Sequence, residues 1–430
     1  MRTTMASQPV YVVGGGVAGL SAAATLAIAG EPVVVLDAAT VIGGRARTHW
    51  VDRFGLNVGP HALYVGGPGA RRLRRLGVDL RGGQPRTWAF QVVVGDELVG
   101  LGRLLLGSRS RLAALRAASG RWGRVAPGAS AAEHLAGLTL DDRSRAVVEM
   151  VVRLSTYAGD LHRLDAAMGA AQLRLATLPG VRYLHRGWQG LADDLARVIR
   201  RHGGAIRTGV PVAAVEHDER VIAVRTRSGE RLPADRVVVA MADAGRAVRL
   251  LAGPGADRLA AATADHTVVR MAHLDVALRR SSGRVRSLLD PAGRIYVSVP
   301  SDVARLAPRD GVVLHAGRYL EPGGERADHR ADLEAAIDRV APHWRDDLVD
   351  ARYVPTSPVA GDHAGPGAGG WAGRVGVDGA GVAGLAVAGD WVRGQGMLAD
   401  AAITSGDQAA RALLTAARAT PTPSRGVRSA

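Results

Sequence analysis

The 430-residue chain contains no cysteine and no lysine, so all 55 of its basic residues are arginine. The first absence removes disulfides, thiolate metal sites and a cysteine nucleophile. The second excludes any mechanism that needs a lysine amine. Aromatic residues make up only 4% of the chain, with two Phe and seven Tyr. Nowhere is there the run of about 18 apolar residues needed to span a bilayer. Met1 to Gln8 has no apolar core of the kind a secretory signal requires, so the expected location is the cytoplasm. The 13 His are scattered, with no His-x-x-x-His pair on an acidic helix, and no metal site is expected.

Positive charge and glycine are in excess. The formal net charge is +15, and 12 Arg fall between Arg71 and Arg124 against only Asp79, Asp96 and Glu97. Within that stretch Leu101, Leu104, Leu105, Leu112 and Leu115 recur at helical spacing, with Arg103, Arg109, Arg111 and Arg116 between them. The pattern predicts a basic amphipathic helix, either an ordinary helix with a solvated face or one that lies on an anionic membrane surface. No aromatic platform interleaves with the arginines, so nucleic acid is not an expected partner.

The stretch from Val10 to Thr48 carries the most chemistry. Tyr11-Val12-Val13 reads as a buried parallel strand, and Gly14, Gly16 and Gly19 as a Gly-x-Gly-x-x-Gly turn. Val17 and Ala18 then lead into a helix over Leu20 to Ala29, closed by Gly30. The amides and dipole of such a helix face a phosphate, and Gly16 lets a pyrophosphate approach the backbone. Pro32 to Leu36 is the second strand. Asp37 at its end is an acceptor for ribose hydroxyls, near the offset of about twenty residues expected of a dinucleotide fold. Gly379, Gly381 and Gly384 repeat the glycine spacing, but Leu385 to Ala388 after them reads as a strand rather than a helix, so this second match is set aside.

Gly43-Gly44-Arg45-Ala46-Arg47-Thr48 follows Asp37 closely. This combination resembles the flavoprotein superfamily of amine oxidases, protoporphyrinogen oxidases and phytoene desaturases, with Asp37 where glutamate is usual. The resemblance implies FAD, held non-covalently since no cysteine is available to bond it. It implies an α/β fold: a Rossmann-like FAD-binding domain of the glutathione-reductase type, built on a parallel sheet, with an inserted α+β substrate domain. The expected partition assigns 1–66, 185–244 and 374–417 to the FAD-binding domain and 67–184 and 245–373 to the substrate domain, with 418–430 a disordered tail.

Two further regions extend the resemblance toward the phytoene desaturase-like branch. Tyr183 to Gly190, a helix to Arg201 and Gly203 to Val212 look like the return of the chain to the cofactor, where Val212 would hold the adenine through its backbone. Ala388-Gly389-Asp390-Trp391, Gly396-Met397 with a helix over Leu398 to Thr415, and Ser405-Gly406 resemble the C-terminal FAD motif. Gly59, Pro60 and His61 would pass beneath the flavin ring. His61, Trp391 and Arg393 are the side chains expected over or beside it, His61 as a base or a packing group, Trp391 as a wall, Arg393 for an anionic substrate or a phosphate. Tyr157 reads first as a core tyrosine.

The resemblance implies a hydride acceptor at flavin N5 and an enzyme acting on a hydrophobic small molecule, an isoprenoid or a polycyclic secondary metabolite, with dioxygen or a quinone as electron acceptor. An amine or tetrapyrrole oxidase using dioxygen is the alternative, although seven Tyr make a paired-tyrosine amine cage an unfavoured expectation. A redox-neutral FAD isomerase and a flavin-free prenyl-protein carrier complete the set. The carrier reading is the weakest, because this chain keeps the phosphate and flavin motifs that such carriers lose.

Overall fold

The computed structural model describes residues 8–86, 90–280, 285–363 and 365–419. A five-stranded, all-parallel sheet runs in the order Ala205–Arg207, Val33–Leu36, Val10–Val13, Val237–Ala240, Leu385–Ala388. Its strands are short apolar runs, and their alternation serves two cores. Val10, Val12, Val33, Val35, Val238, Ala386 and Ala388 face helices Val17–Ile28, Gly187–Arg201 and Leu398–Ala419. Tyr11, Val13, Leu36, Val237, Val239, Leu385 and Val387 face the other way, onto a layer that includes the antiparallel strands Val212–His217 and Val221–Thr226. This is the expected Rossmann-like FAD fold with an inserted second region. The glycine turn at 379–384 does precede a strand, as its context indicated.

The inserted region is organised by a seven-stranded mixed sheet ordered Leu348–Ala360, Val269–Leu278, Val312–Tyr319, Ile295–Ser298, Leu288–Asp290, Gln91–Val94, Glu97–Gly100. One face, with Leu274, Val276, Leu314, Ala316 and Val297, packs on helix Arg330–Asp338. Met271, Tyr296 and Tyr319 turn the other way, toward helices Ala131–Ala136, Asp142–Thr156 and Ala166–Thr177. Alternating residues from Trp88 to Leu98 around Gly95-Asp96 predict a β-hairpin, and Gln91–Val94 pairs antiparallel with Glu97–Gly100 there, while Trp88 lies outside the described residues.

The basic amphipathic helix is not one helix. Leu101–Gly107 and Arg111–Ala118 are separate, because Ser108 is extended and its hydroxyl, with that of Ser110, hydrogen-bonds the Asp141 carboxylate. The apolar stripe breaks with it. Leu101, Leu104 and Leu105 are buried, whereas Leu112 is 67% exposed and Leu106 60% exposed. Among the described residues no helix is long and apolar enough to cross a membrane. The last helix continues to Ala419, past the expected Thr415 and two residues into the expected tail, and 420–430 lie outside the described residues.

Candidate active site

At the carboxyl edge of the parallel sheet the backbone leaves strand Val10–Val13 through Gly14. Its φ is +108°, and a Cβ there would lie 2.2 Å from the Ala240 carbonyl oxygen. Gly19 is required by packing, since its Cβ would stand 1.9 Å from the Gly14 carbonyl oxygen. Gly16 is different. Its backbone is extended (φ −74°, ψ 176°), open to any residue, and a Cβ would meet no protein atom within 4 Å. Neither fold nor packing demands glycine at that position, and the free space belongs to the cleft that Gly16 lines. The helix starting at Val17 has no side-chain cap, so its first amides are left for an outside acceptor.

Asp37 braces this turn. Its Oδ2 accepts the Gly15 N–H at 2.5 Å and its Oδ1 the Ala39 N–H at 2.7 Å. The Gly43 N–H donates to the Gly15 carbonyl at 2.7 Å, which lays Gly43-Gly44-Arg45 alongside the first turn. Arg45 Nη2 then reaches Asp390 Oδ1 at 2.7 Å, and Asp390 Oδ2 accepts the Gly361 N–H at 3.0 Å. The Asp390 side chain is 3% exposed and that of Arg45 30%, so the N-terminal and C-terminal motifs are tied by one largely buried ion pair.

Gly14, Gly16, Val17, Ala18, Asp37, Gly43, Gly44, Arg45, Val212, Gly389 and Asp390 all line a single cleft with about 1820 Å³ of open space. Arg47 from the same motif lines it too, with Arg227, Arg246 and Arg249, arginines that no sequence motif marked. A smaller chamber continues inward. It shares Val17, Arg45, Ala46, Asp390 and Ala402 with the cleft, and Pro60, His61, Ala62, Tyr64 and Tyr157 with a third cavity of about 870 Å³. Gly59, Pro85, Phe90, Val151, Leu154, Leu173, Val181 and Val313 are among the residues lining that third cavity. The passage suits an extended FAD: helix amides and open space beside Gly16 for pyrophosphate, and a carboxylate near the adenosine end. A narrow chamber for the ring then opens on an apolar room.

His61 stands at the junction. Its Nδ1 is 2.8 Å from the Gly59 carbonyl and its ring centroid 4.9 Å from that of Trp188. Burial lowers its pKa to about 4, against the opposing pull of the Gly59 hydrogen bond, so the ring is neutral at physiological pH. With Nδ1–H donated to Gly59, Nε2 is the free ring nitrogen. Tyr64 donates its hydroxyl to the Ser155 carbonyl at 2.6 Å. Tyr157 ends helix Asp142–Thr156 in a left-handed conformation (φ +61°) and lines both inner chambers, a more exposed role than a core tyrosine has. Burial pushes Tyr183 up to about 12 and raises Tyr157 and Tyr296 as well, so these phenols stay protonated.

Five expected residues lie elsewhere, the first being Gly19, which packs on the Gly14 carbonyl and lines none of the three spaces. Trp391 is fully buried, donates Nε1–H to the Met241 carbonyl at 3.0 Å and packs behind the parallel sheet, so it walls none of the three spaces. Arg393 is exposed and donates to the Arg374 carbonyl at 3.0 Å. Both turn away because the chain bends after Gly389, with the Val392 N–H bonded to the Gly389 carbonyl at 3.2 Å. Gly396 and Met397 also stay outside, Met397 in the core between the inserted sheet and its helices, and Leu398 and Ala399 line the inner chamber in their place. Sequence reasoning passed over Trp188, Tyr64, Tyr296, Asp275 and His315, which line the inner chambers.

Asp400, in the first turn of the last helix, accepts the Gly69 N–H at 2.9 Å and leaves no room for a side chain at Gly67 or Gly69. Burial, outweighing that hydrogen bond, raises its pKa from 3.8 to about 7. A carboxyl raised on folding stabilises the protein below its unfolded value, and the contribution is lost as pH climbs through 7. Asp400→Asn, which keeps the acceptor oxygen and cannot ionise, should therefore be more stable relative to wild type at pH 8.5 than at pH 5.5, by about 2 kcal/mol. Urea unfolding at the two pH values measures the difference, and equal differences would contradict the assignment.

Residues 17–245 match the model of the flavin containing amine oxidoreductase family. Hydroxysqualene dehydroxylase of Zymomonas mobilis is 36% identical over 83 residues, 19% of this chain and 20% of that protein, so the likeness covers about a fifth of the relative's length. An oxidoreductase from Methanosarcina mazei superposes with a TM-score of 0.74 at 18% identity, covering 93% of this chain and 99% of the other. Cyclohexylamine oxidase from Brevibacterium oxydans gives a TM-score of 0.67 at 18% identity, covering 96% and 100%.

Proposed function

Because the chain belongs to the family of flavin-containing amine oxidoreductases and is an FAD-dependent enzyme, we propose that it dehydrogenates a hydrophobic small molecule, an isoprenoid or a polycyclic secondary metabolite. The single observation that carries this reading is the set of residues shared between chambers. Pro60, His61, Tyr64 and Tyr157 border both the room suited to the flavin ring and the apolar cavity beyond it. Bound there, FAD supplies a two-electron acceptor for a hydride. The protein's own residues bind, orient and keep out water: Arg45 and the Val17 helix hold phosphate, and Phe90, Val151, Leu154 and Leu173 desolvate the substrate. In this reading 1–66, 185–244 and 374–417 serve the cofactor and 67–184 and 245–373 the substrate. Dioxygen or a quinone takes the electrons onward.

One observation favours amine oxidation as a second reading. Four of the chain's seven tyrosines, Tyr64, Tyr157, Tyr183 and Tyr296, line the apolar cavity. The cavity is therefore far more aromatic than the composition. Anaerobic exposure of the FAD-loaded protein to farnesol, squalene, cyclohexylamine and putrescine separates the two readings. Bleaching by an isoprenoid alone supports the first, bleaching by an amine with peroxide formed in air supports the second, and no bleaching by either class contradicts both.

The exposed Leu98, Leu106 and Leu112, set among Arg103, Arg109, Arg111 and Arg116, support contact with an anionic membrane surface through which an apolar substrate would enter. Co-sedimentation with phosphatidylglycerol vesicles but not with phosphatidylcholine vesicles, weakened by Leu112→Asp, is the expected result. Equal recovery with both lipids would count against it.

A further inference from the structure

Strands Val269–Leu278 and Val312–Tyr319 are antiparallel neighbours, and their register sets Asp275 directly opposite His315. His273 lies two residues from Asp275 and so on the same face of the sheet. All three side chains are buried, and Asp275 and His315 line the apolar cavity. His315 Nδ1 is hydrogen-bonded to Asp275 Oδ1, while His273 Nδ1 stands 3.2 Å from Asp275 Oδ2. Burial by itself would raise the Asp275 carboxyl, yet the two imidazoles that face its oxygens, His315 first, hold it well below the usual carboxylate range. The Asp275 carboxylate faces His315 Nδ1 and so favours the tautomer with its proton there. His315 Nε2 is then a lone-pair acceptor, and among the described residues this buried atom has no hydrogen-bond partner.

A buried, oriented and unsatisfied imidazole nitrogen in a largely apolar cavity is costly unless a ligand completes it. Its neighbours do not. Tyr296 packs its ring 5.6 Å from that of His315, centroid to centroid, and offers it a ring face, not a hydrogen bond. His61, the other imidazole lining the cavity, is neutral and already committed to Gly59 at Nδ1.

We propose that His315, held by Asp275 and backed by His273, is the proton acceptor of the cavity, and that the substrate carries a hydroxyl group on the carbon that is oxidised. This rests on the dehydrogenase reading and narrows its substrate class. As the C–H bond breaks, its electron pair and hydrogen pass as hydride to the FAD, which is reduced by two electrons. The O–H proton moves to His315 Nε2, and a C=O bond forms. The imidazolium is neutralised by Asp275 and returns its proton to solvent after product leaves.

The proton-accepting role can be read without turnover by binding 4-nitrophenol, whose ionised form has its own absorption band, to the FAD-loaded protein. At a pH about one unit below the solution pKa of the probe, wild type should bind it largely ionised, its proton on His315. His315→Gln, which retains size and polarity, should bind it un-ionised with affinity within about tenfold. Asp275→Asn should lower the ionised fraction, while FAD occupancy is unchanged in both variants. Three results would overturn the proposal: un-ionised binding in wild type, ionisation that survives His315→Gln, or no binding at all. Tight uptake of Zn²⁺ that abolishes the signal would also overturn it, because the three side chains would then be metal ligands. Flavin reduction plays no part in the readout, so failure of the dehydrogenase reading and failure of this assignment are distinguishable.

Discussion

Gly16→Val should weaken FAD binding by at least about 100-fold, or about 2.7 kcal/mol, while leaving the stability of the apoprotein within about 1 kcal/mol of wild type. The asymmetry follows from the geometry. Gly16 has an extended backbone and no protein atom within 4 Å of where its Cβ would sit. A valine therefore fills only the space left for a ligand against the helix amides. Gly19→Ala, one helical turn on, should do the opposite. Its methyl would meet the Gly14 carbonyl oxygen at 1.9 Å, and the backbone shift required should cost the apoprotein about 2 kcal/mol or more. Urea unfolding of the two apoproteins, set beside an FAD titration, measures both effects. Wild-type FAD affinity in Gly16→Val would remove the pyrophosphate from this turn.

The second large effect is expected at the ion pair. Arg45→Met leaves Asp390, whose side chain is 3% exposed, with the Gly361 N–H as its remaining hydrogen bond. Stranding a buried carboxylate in this way should destabilise the protein by about 3 kcal/mol. Asp390→Asn should cost less, because the carboxamide oxygen still accepts from Gly361 and the partly exposed guanidinium can turn to water. The double variant should be more stable than Arg45→Met alone, since no unpaired charge remains. A double-mutant cycle by denaturant unfolding checks this order. A double variant less stable than Arg45→Met would mean that the pair is not coupled as described.

The cofactor half of the molecule was legible because its signals are local. Val10–Val13 and Val33–Leu36 are unbroken apolar runs flanked by glycine and acidic residues, and the glycine turn that leads from the first strand into helix Val17–Ile28 directly follows it. Asp37 and Gly43 fall in the same short stretch as the Gly15 they touch, whereas Arg45 pairs with Asp390 at the other end of the chain, where a second motif marks it. The substrate half is encoded differently. Asp275 and His315 are 40 residues apart and meet through the register of an antiparallel sheet, which no local pattern records. His273-Leu274-Asp275 carried a faint signal, since alternation places its two polar residues on one face. Its partner strand was missing from that argument.

The misplacements have the same origin. Leucines at helical spacing from Leu101 to Leu115 promised one helix, but Ser108 and Ser110 find a better acceptor in Asp141, a residue distant in sequence. Trp391 and Arg393 follow a cofactor motif, yet the backbone bend after Gly389 carries them to the far side of the sheet and to the surface. Proximity in sequence to Asp390 did not mean proximity to the cleft.

The continuous passage, with the flavin ring set between the Gly16 cleft and the apolar cavity, is tested most directly by titrating FAD into the apoprotein while following flavin fluorescence. One FAD per chain should bind, its emission quenched by Trp188, Tyr64 and Tyr157 around the ring chamber, and denaturation should release it intact. Binding that leaves the fluorescence of free FAD would put the ring outside that chamber. Failure to bind FAD stoichiometrically would contradict the account as a whole.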